Sequence, residues 1–211
     1  MLATPPRARS GGTATHSGTG LDAKVQLPGL VAGLVSRSSL LARFRDADAS
    51  LVTVTAPAGY GKTTLLAQWA ATDGRRFAWV SLDDLDDDPL TLTTSILRGL
   101  EAAGLVDQDV ADDAARADFV TTLRPRLRRT MAQLPEPTVL VLDDVHLLGG
   151  GAMTADVLLT LVKSVPDGSQ IVLSGRSAPP IPLGSLRAGR RLFEAGAGDL
   201  AGHGLPVARP A

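Results

Sequence analysis

A chain of 211 residues has room for one domain with its own core, and with 44% hydrophobic but only 3% aromatic residues that core must be filled by Leu, Val and Ala. The formal net charge of −1 gives no general attraction to nucleic acid or an anionic membrane, and the lack of cysteine excludes a disulfide scaffold, a thiolate metal site and a cysteine nucleophile. The first twenty residues lack the apolar core of a secretory signal and no apolar run nears the ~18–20 residues of a membrane span, so a cytoplasmic protein is expected.

Residues 1–24 are rich in Pro, Ser, Gly and Thr, which reads as a disordered leader before a folded unit over 25–200. After an entry loop at Leu27, Pro28 and Gly29, the side chains Leu40, Leu41 and Phe44 recur at helical spacing, with Ser38 or Ser39 as cap. Arg37 stands just ahead of this helix, and spacing alone leaves it a solvated charge. The β-branched run 51–55 is the first core strand. It leads into Ala56-Pro57-Ala58-Gly59-Tyr60-Gly61-Lys62-Thr63-Thr64 and then a helix-like run over 65–70. Strand, glycine-rich turn, Gly-Lys-Thr and helix is the context of a P-loop.

The chemistry explains the residue types. Backbone N–H groups must wrap a phosphate closely, hence Gly59 and Gly61, with Ala58, Tyr60 and Thr64 completing the cradle. The helix that starts there aims its positive dipole end at the anion. Lys62 reaches the outer phosphates from a loop position outside the core, and the Thr63 hydroxyl can ligate Mg²⁺. The first loop position, usually Gly, is Ala56, the smallest side chain that can stand in.

A second continuous apolar run, 77–82, suits a strand buried on both faces. The acids Asp83, Asp84, Asp86, Asp87 and Asp88 that follow read as a loop rather than a metal cluster, ending with Asp88 as N-cap and Pro89 at the first helical position. Leu90, Ile96, Leu97 and Leu100 mark a helix that stops at Gly104. A polar connector spans 106–118, and a basic amphipathic helix spans 119–134, restarted at Pro125. Its arginines 124, 126, 128 and 129 read as a solvated face, since no aromatic residues interleave.

The run 138–144 is an apolar strand ending in two carboxylates. Asp143 is placed to hold Mg²⁺ and Asp144 to polarise an attacking water. His146, just beyond, is assigned no chemistry. A helix opens at Thr154 or Ala155 and ends at Pro166-Asp167-Gly168. The run 170–176 is a further core strand with Arg176 at its carboxyl end, where open α/β sheets bind ligands and where a γ-phosphate could be sensed. Pro179, Pro180 and Pro182 exclude a helix directly after it, 191–195 is a last strand, and 201–211 is an unstructured tail.

These residues resemble a family. The segments 33–41, 56–69, 78–83, 86–89, 141–146, 174–176 and 178–180 are similar to the N-terminal ATPase domain of LuxR-family large ATP-binding transcriptional regulators, the maltose-regulon-activator-like group of the signal-transduction ATPases with numerous domains. Ala56 is normal for that family. The resemblance implies a P-loop three-layer α/β sandwich with a mainly parallel sheet, in which the strand ending at Arg176 lies between the loop strand and the Asp143 strand. It implies ATP and Mg²⁺ as ligands, Arg37 as a nucleotide contact, Arg176 as a sensor, and an ATP-dependent switch in which ATP and an inducer favour an active, self-associating form. The family's helical lid, helical repeats and helix-turn-helix do not fit in 211 residues, so the chain reads as a truncated product or fragment that leaves DNA binding to a domain it lacks. Slow or absent hydrolysis is expected. The alternatives are a binding-only remnant and another P-loop ATPase. A transporter ATPase would need its signature before the Asp143 strand, and a chain without asparagine cannot carry the Asn-Lys-x-Asp motif of a GTPase.

Overall fold

The strand interiors 77–80, 139–142 and 171–173 are apolar at consecutive positions rather than at alternate ones, which demands cover on both faces and hence a parallel sheet between two helical layers. The computed structural model, which describes residues 23–30, 37–107, 110–111 and 122–201, has this arrangement. Its strands are β1 (Leu51–Thr55), β2 (Arg76–Ser81), β3 (Thr138–Asp143), β4 (Gln170–Gly175) and β5 (Leu192–Ala195). They form one five-stranded sheet in the order β2-β3-β4-β1-β5, with all pairs parallel. Every residue of β3 and β4 is buried, as central strands require. β4 lies between β1 and β3, in agreement with the expected placement.

Alternate strand residues feed two separate cores. On one face, Val52, Val54, Val139, Val141 and Val172 pack under α1 (Ser38–Asp46) and α2 (Lys62–Thr72). Phe44 and Trp69 meet there with ring centroids 4.9 Å apart. On the other face, Leu140, Leu142, Ile171 and Leu173 pack under α3 (Pro89–Ala102), α4 (Arg124–Ala132) and α5 (Ala152–Ser164). Two short helices, α6 (Gly184–Ala188) and α7 (Ala197–Ala201), flank β5. Neither was expected, because five residues are too few to show a readable period. α5 starts two residues before the expected Thr154. No helix among the described residues is long and apolar enough to cross a membrane.

The acidic stretch is spent on structure. Asp88 caps α3 by accepting from Thr91 N at 2.8 Å, and Asp84–Asp87 is a 3₁₀ turn. Asp86 is fully buried and accepts from Lys24 Nζ at 2.7 Å, Ser95 Oγ at 2.7 Å and Asp83 N at 2.9 Å. Asp87 accepts from Gly149 N at 2.8 Å, tying this turn to the segment after β3. Of the expected leader over 1–24, residues 1–22 lie outside the described residues, as do the stretches 31–36, 108–109 and 112–121 and residues 202–211 of the expected tail over 201–211.

Candidate functional site

The parallel register brings the carboxyl ends of β1, β4 and β3 side by side. From β1 the chain enters the glycine loop. Gly59 has φ +82° and Gly61 φ +74°, a backbone that L side chains rarely adopt. A Cβ on Gly59 would meet nothing within 4 Å, so there the backbone alone demands glycine. Gly61 caps α2, and Lys62 is its first residue. Lys62 is not outside the core as expected. It is only 8% exposed, because its ammonium folds back to donate to Ala56 O at 2.9 Å and Pro57 O at 3.2 Å. Ala56 is buried and its N–H donates to Gly175 O at 3.2 Å, which pins the loop to the end of β4. Ala58 and Tyr60 are exposed on the loop, and Thr64 is partly buried in the first turn of α2.

Thr63 and Asp143 are separated by 80 residues, yet the Thr63 hydroxyl donates to Asp143 Oδ2 at 2.6 Å. Asp143 is 3% exposed, and its Oδ1 accepts from Asp144 N at 3.0 Å. The pair sets two oxygen ligands side by side between the first turn of α2 and the end of β3, the hard ligand type that Mg²⁺ takes alongside water and phosphate oxygens. The residues therefore fit a magnesium–phosphate ligand. Asp144 adopts the left-handed region (φ 63°, ψ 35°) and its side chain is 45% exposed. Arg37 crosses the loop, donating from Nη2 to Tyr60 O at 3.2 Å and from Nη1 to Gly61 O at 3.4 Å. Spacing alone did not place it there. Arg176 is exposed one residue beyond β4. The structure thus gathers Arg37, residues 58–64 and Asp143 into one cluster, with Asp144 and Arg176 at the neighbouring strand ends.

Two groups escaped the sequence reading. Ser174 is fully buried on the α2 face of β4, and its Oγ has no hydrogen-bond partner. His146 buries an unpartnered Nδ1 3.6 Å from Asp144 Oδ1. Both lie in segments that carry the family resemblance, 141–146 and 174–176, but a lone Ser in an apolar strand and a lone His after a turn gave no reason to assign either a role.

The family described as "AAA domain" matches residues 45–178. The chain is similar to the HTH-type transcriptional regulator MalT of Serratia proteamaculans, 29% identical over 86% of this chain. It is also similar to MalT of Vibrio parahaemolyticus, 30% identical over 83% of it. It spans about one fifth of the length of these curated relatives (20%). Among solved structures, it matches a signal transduction ATPase with numerous domains carrying a tetratricopeptide repeat sensor, from Pyrococcus horikoshii, with TM-score 0.48 and 15% identity over 81% of this chain and 24% of that one. It matches the Aeropyrum pernix ORC1 protein in complex with DNA with TM-score 0.47 and 18% identity over 77% of this chain and 45% of that one. Because the family match covers more than half of the chain, the chain belongs to the AAA domain family of P-loop proteins.

Proposed function

We propose that this chain is the ATP-binding, Mg²⁺-dependent switch module of a signal-responsive transcription regulator. The observation that carries the reading is the 2.6 Å contact between Thr63 Oγ1 and Asp143 Oδ2, which sets a hydroxyl and a carboxylate together at the mouth of a glycine loop. In this reading the N–H groups of residues 58–64 cradle phosphate. Lys62 exchanges the carbonyls of Ala56 and Pro57 for outer phosphate oxygens. Thr63 and Asp143 hold Mg²⁺, Asp144 polarises water, and Arg37 and Arg176 contact the nucleotide from the loop and from the end of β4. The metal supplies charge neutralisation on the phosphates when bound. Asp144 stands half in water, and an open site weakens the electrostatics that speed phosphoryl transfer, so hydrolysis is slow or absent. The similarity to MalT supports the regulatory role. Contact with DNA would fall to parts of those longer relatives that this chain does not share.

The test is a phosphate-release assay with Mg-ATP, alongside nucleotide binding with and without Mg²⁺. Asp144→Asn should bind Mg-ATP as wild type does and release no phosphate, and Asp143→Ala should lose the Mg²⁺ dependence of binding. Wild-type turnover at about 1 s⁻¹ or faster, the lower end of ordinary enzymes, would make this a complete ATPase instead. Measurable phosphate release by wild type that Asp144→Asn matched would overturn the assigned roles.

A further inference from the structure

We propose that His146 is a positioning residue for Asp144, its Nδ1–H setting which oxygen of that carboxylate faces the phosphate end of the site. The proposal rests on the reading of this cluster as a nucleotide site. Four observations lead to it. The imidazole Nδ1 is buried and makes no hydrogen bond, which proteins seldom leave uncorrected. The nearby acceptor is Asp144 Oδ1 at 3.6 Å, just beyond bonding range, so a small rotation of the carboxylate closes the bond.

The third observation is the backbone. Asp144 ends β3 in the left-handed region, and Val145–Leu147 follows as a 3₁₀ turn closed by Leu147 N donating to Asp144 O at 3.0 Å. That reversal is what carries the residue two positions on back to the Asp144 side chain. Non-glycine residues adopt this conformation sparingly, and where they do it gathers at sites of function. The fourth is the anchorage. Val145 is fully buried, and a Cβ on Gly175 would lie 3.2 Å from both His146 N and Val145 Cγ2. The turn is therefore seated on the strand end that precedes Arg176. His146 is the fixed partner and half-exposed Asp144 the movable one. With Nδ1–H bonded to one carboxylate oxygen, the other is left free to accept from a water. A base oriented by a third group is the general logic of activated-nucleophile sites.

The requirement is specific: Nδ1, not Nε2, must carry the proton of the neutral ring. The chain has three histidines, His16, His146 and His203, so the imidazoles can be resolved by long-range proton–nitrogen NMR, with His146 assigned by its loss in His146→Asn. The wild-type chain should show His146 mainly as the Nδ1–H tautomer. Asp144→Gly keeps the left-handed turn without a carboxylate and should move the ring to mainly Nε2–H. Asp144→Asn, which keeps an acceptor oxygen and tolerates the same backbone, should retain part of the Nδ1–H form and guards against a misfolded glycine variant. Saturating Mg²⁺ with a non-hydrolysable ATP analogue should slow exchange of the Nδ1 proton in wild type and leave it unchanged in Lys62→Met. The same tautomer in wild type and Asp144→Gly would overturn the proposal, as would a bound analogue, detected separately by thermal shift, that left the His146 signals unmoved. Failure of the analogue to bind would instead remove the nucleotide reading, and the tautomer comparison would still decide the pairing of His146 with Asp144.

Discussion

Replacing Lys62 is the sharpest perturbation of the site, and the structure shows why two variants are needed. The ammonium donates to Ala56 O at 2.9 Å and Pro57 O at 3.2 Å, and the residue is buried. Lys62→Ala therefore removes a packed stem and a charged donor together, and the ligand-free protein should lose about 1–2 kcal/mol, since Pro57 is exposed and water can replace the donor there. Lys62→Met keeps most of the stem, so its loss should be smaller. The informative quantity is thus the ligand-induced shift within each variant, not the melting point itself. Ligand at about 100 times its dissociation constant adds about 2.7 kcal/mol to stability. For a domain of this size that is a rise of roughly 5–10 °C. A charged contact to phosphate contributes about 1.5–3 kcal/mol, so losing it weakens binding roughly 10- to 150-fold. At the upper end, the same ligand concentration leaves only about 0.3 kcal/mol of protection, or about 1 °C. The assay is differential scanning fluorimetry with Mg-ATP over a concentration series. If Lys62→Met rose by the full wild-type increment at every concentration, Lys62 would not touch the ligand and the loop would be an ordinary strand-to-helix turn.

The remaining predictions concern stability. Arg190 follows α6 at φ +55°, in the helix-terminating position usually held by glycine, with Arg191 N donating to Leu186 O at 2.9 Å. Arg190→Gly should raise stability by about 0.5–1 kcal/mol, seen as a higher melting point, and a lower one would show that the side chain gives more than its backbone costs. Asp73 supplies a pH signature. Burial alone would raise its pKa from 3.8, but donors from Arg75 and Trp69 outweigh it and hold the carboxyl at about 2. A depressed folded value stabilises above the unfolded pKa and is lost as pH falls through the folded one, so the window runs from about 4 to about 2. In urea titrations the gap between wild type and Asp73→Asn should be constant above pH 5, about 2 kcal/mol at most, and should close across that window. A gap that stayed constant down to pH 2 would refute the assigned donors.

Much of the fold was legible because its signals are local. The apolar runs of β1, β3 and β4 announce two-sided burial, and Asp88-Pro89 announces a helix start, whichever way the chain later turns. The glycine loop is legible for the same reason, since its chemistry demands Gly59, Gly61, Lys62 and Thr63 in one stretch. Asp143 was legible as a carboxylate at a strand end and, with Thr63, as a Mg²⁺ ligand, though the direct hydrogen bond between the two was not. Only the order β3-β4-β1 decided which distant residues would meet. That order is set by right-handed crossovers and by how helices cover the two faces. It set Asp143 beside Thr63 and seated the His146 turn against Gly175, and tertiary packing laid Arg37 on the carbonyls of Tyr60 and Gly61. A sequence period records which face of an element is buried. It does not record what lies on the other side of the contact, because that depends on elements distant in the chain, as where Leu51 pairs with Leu192.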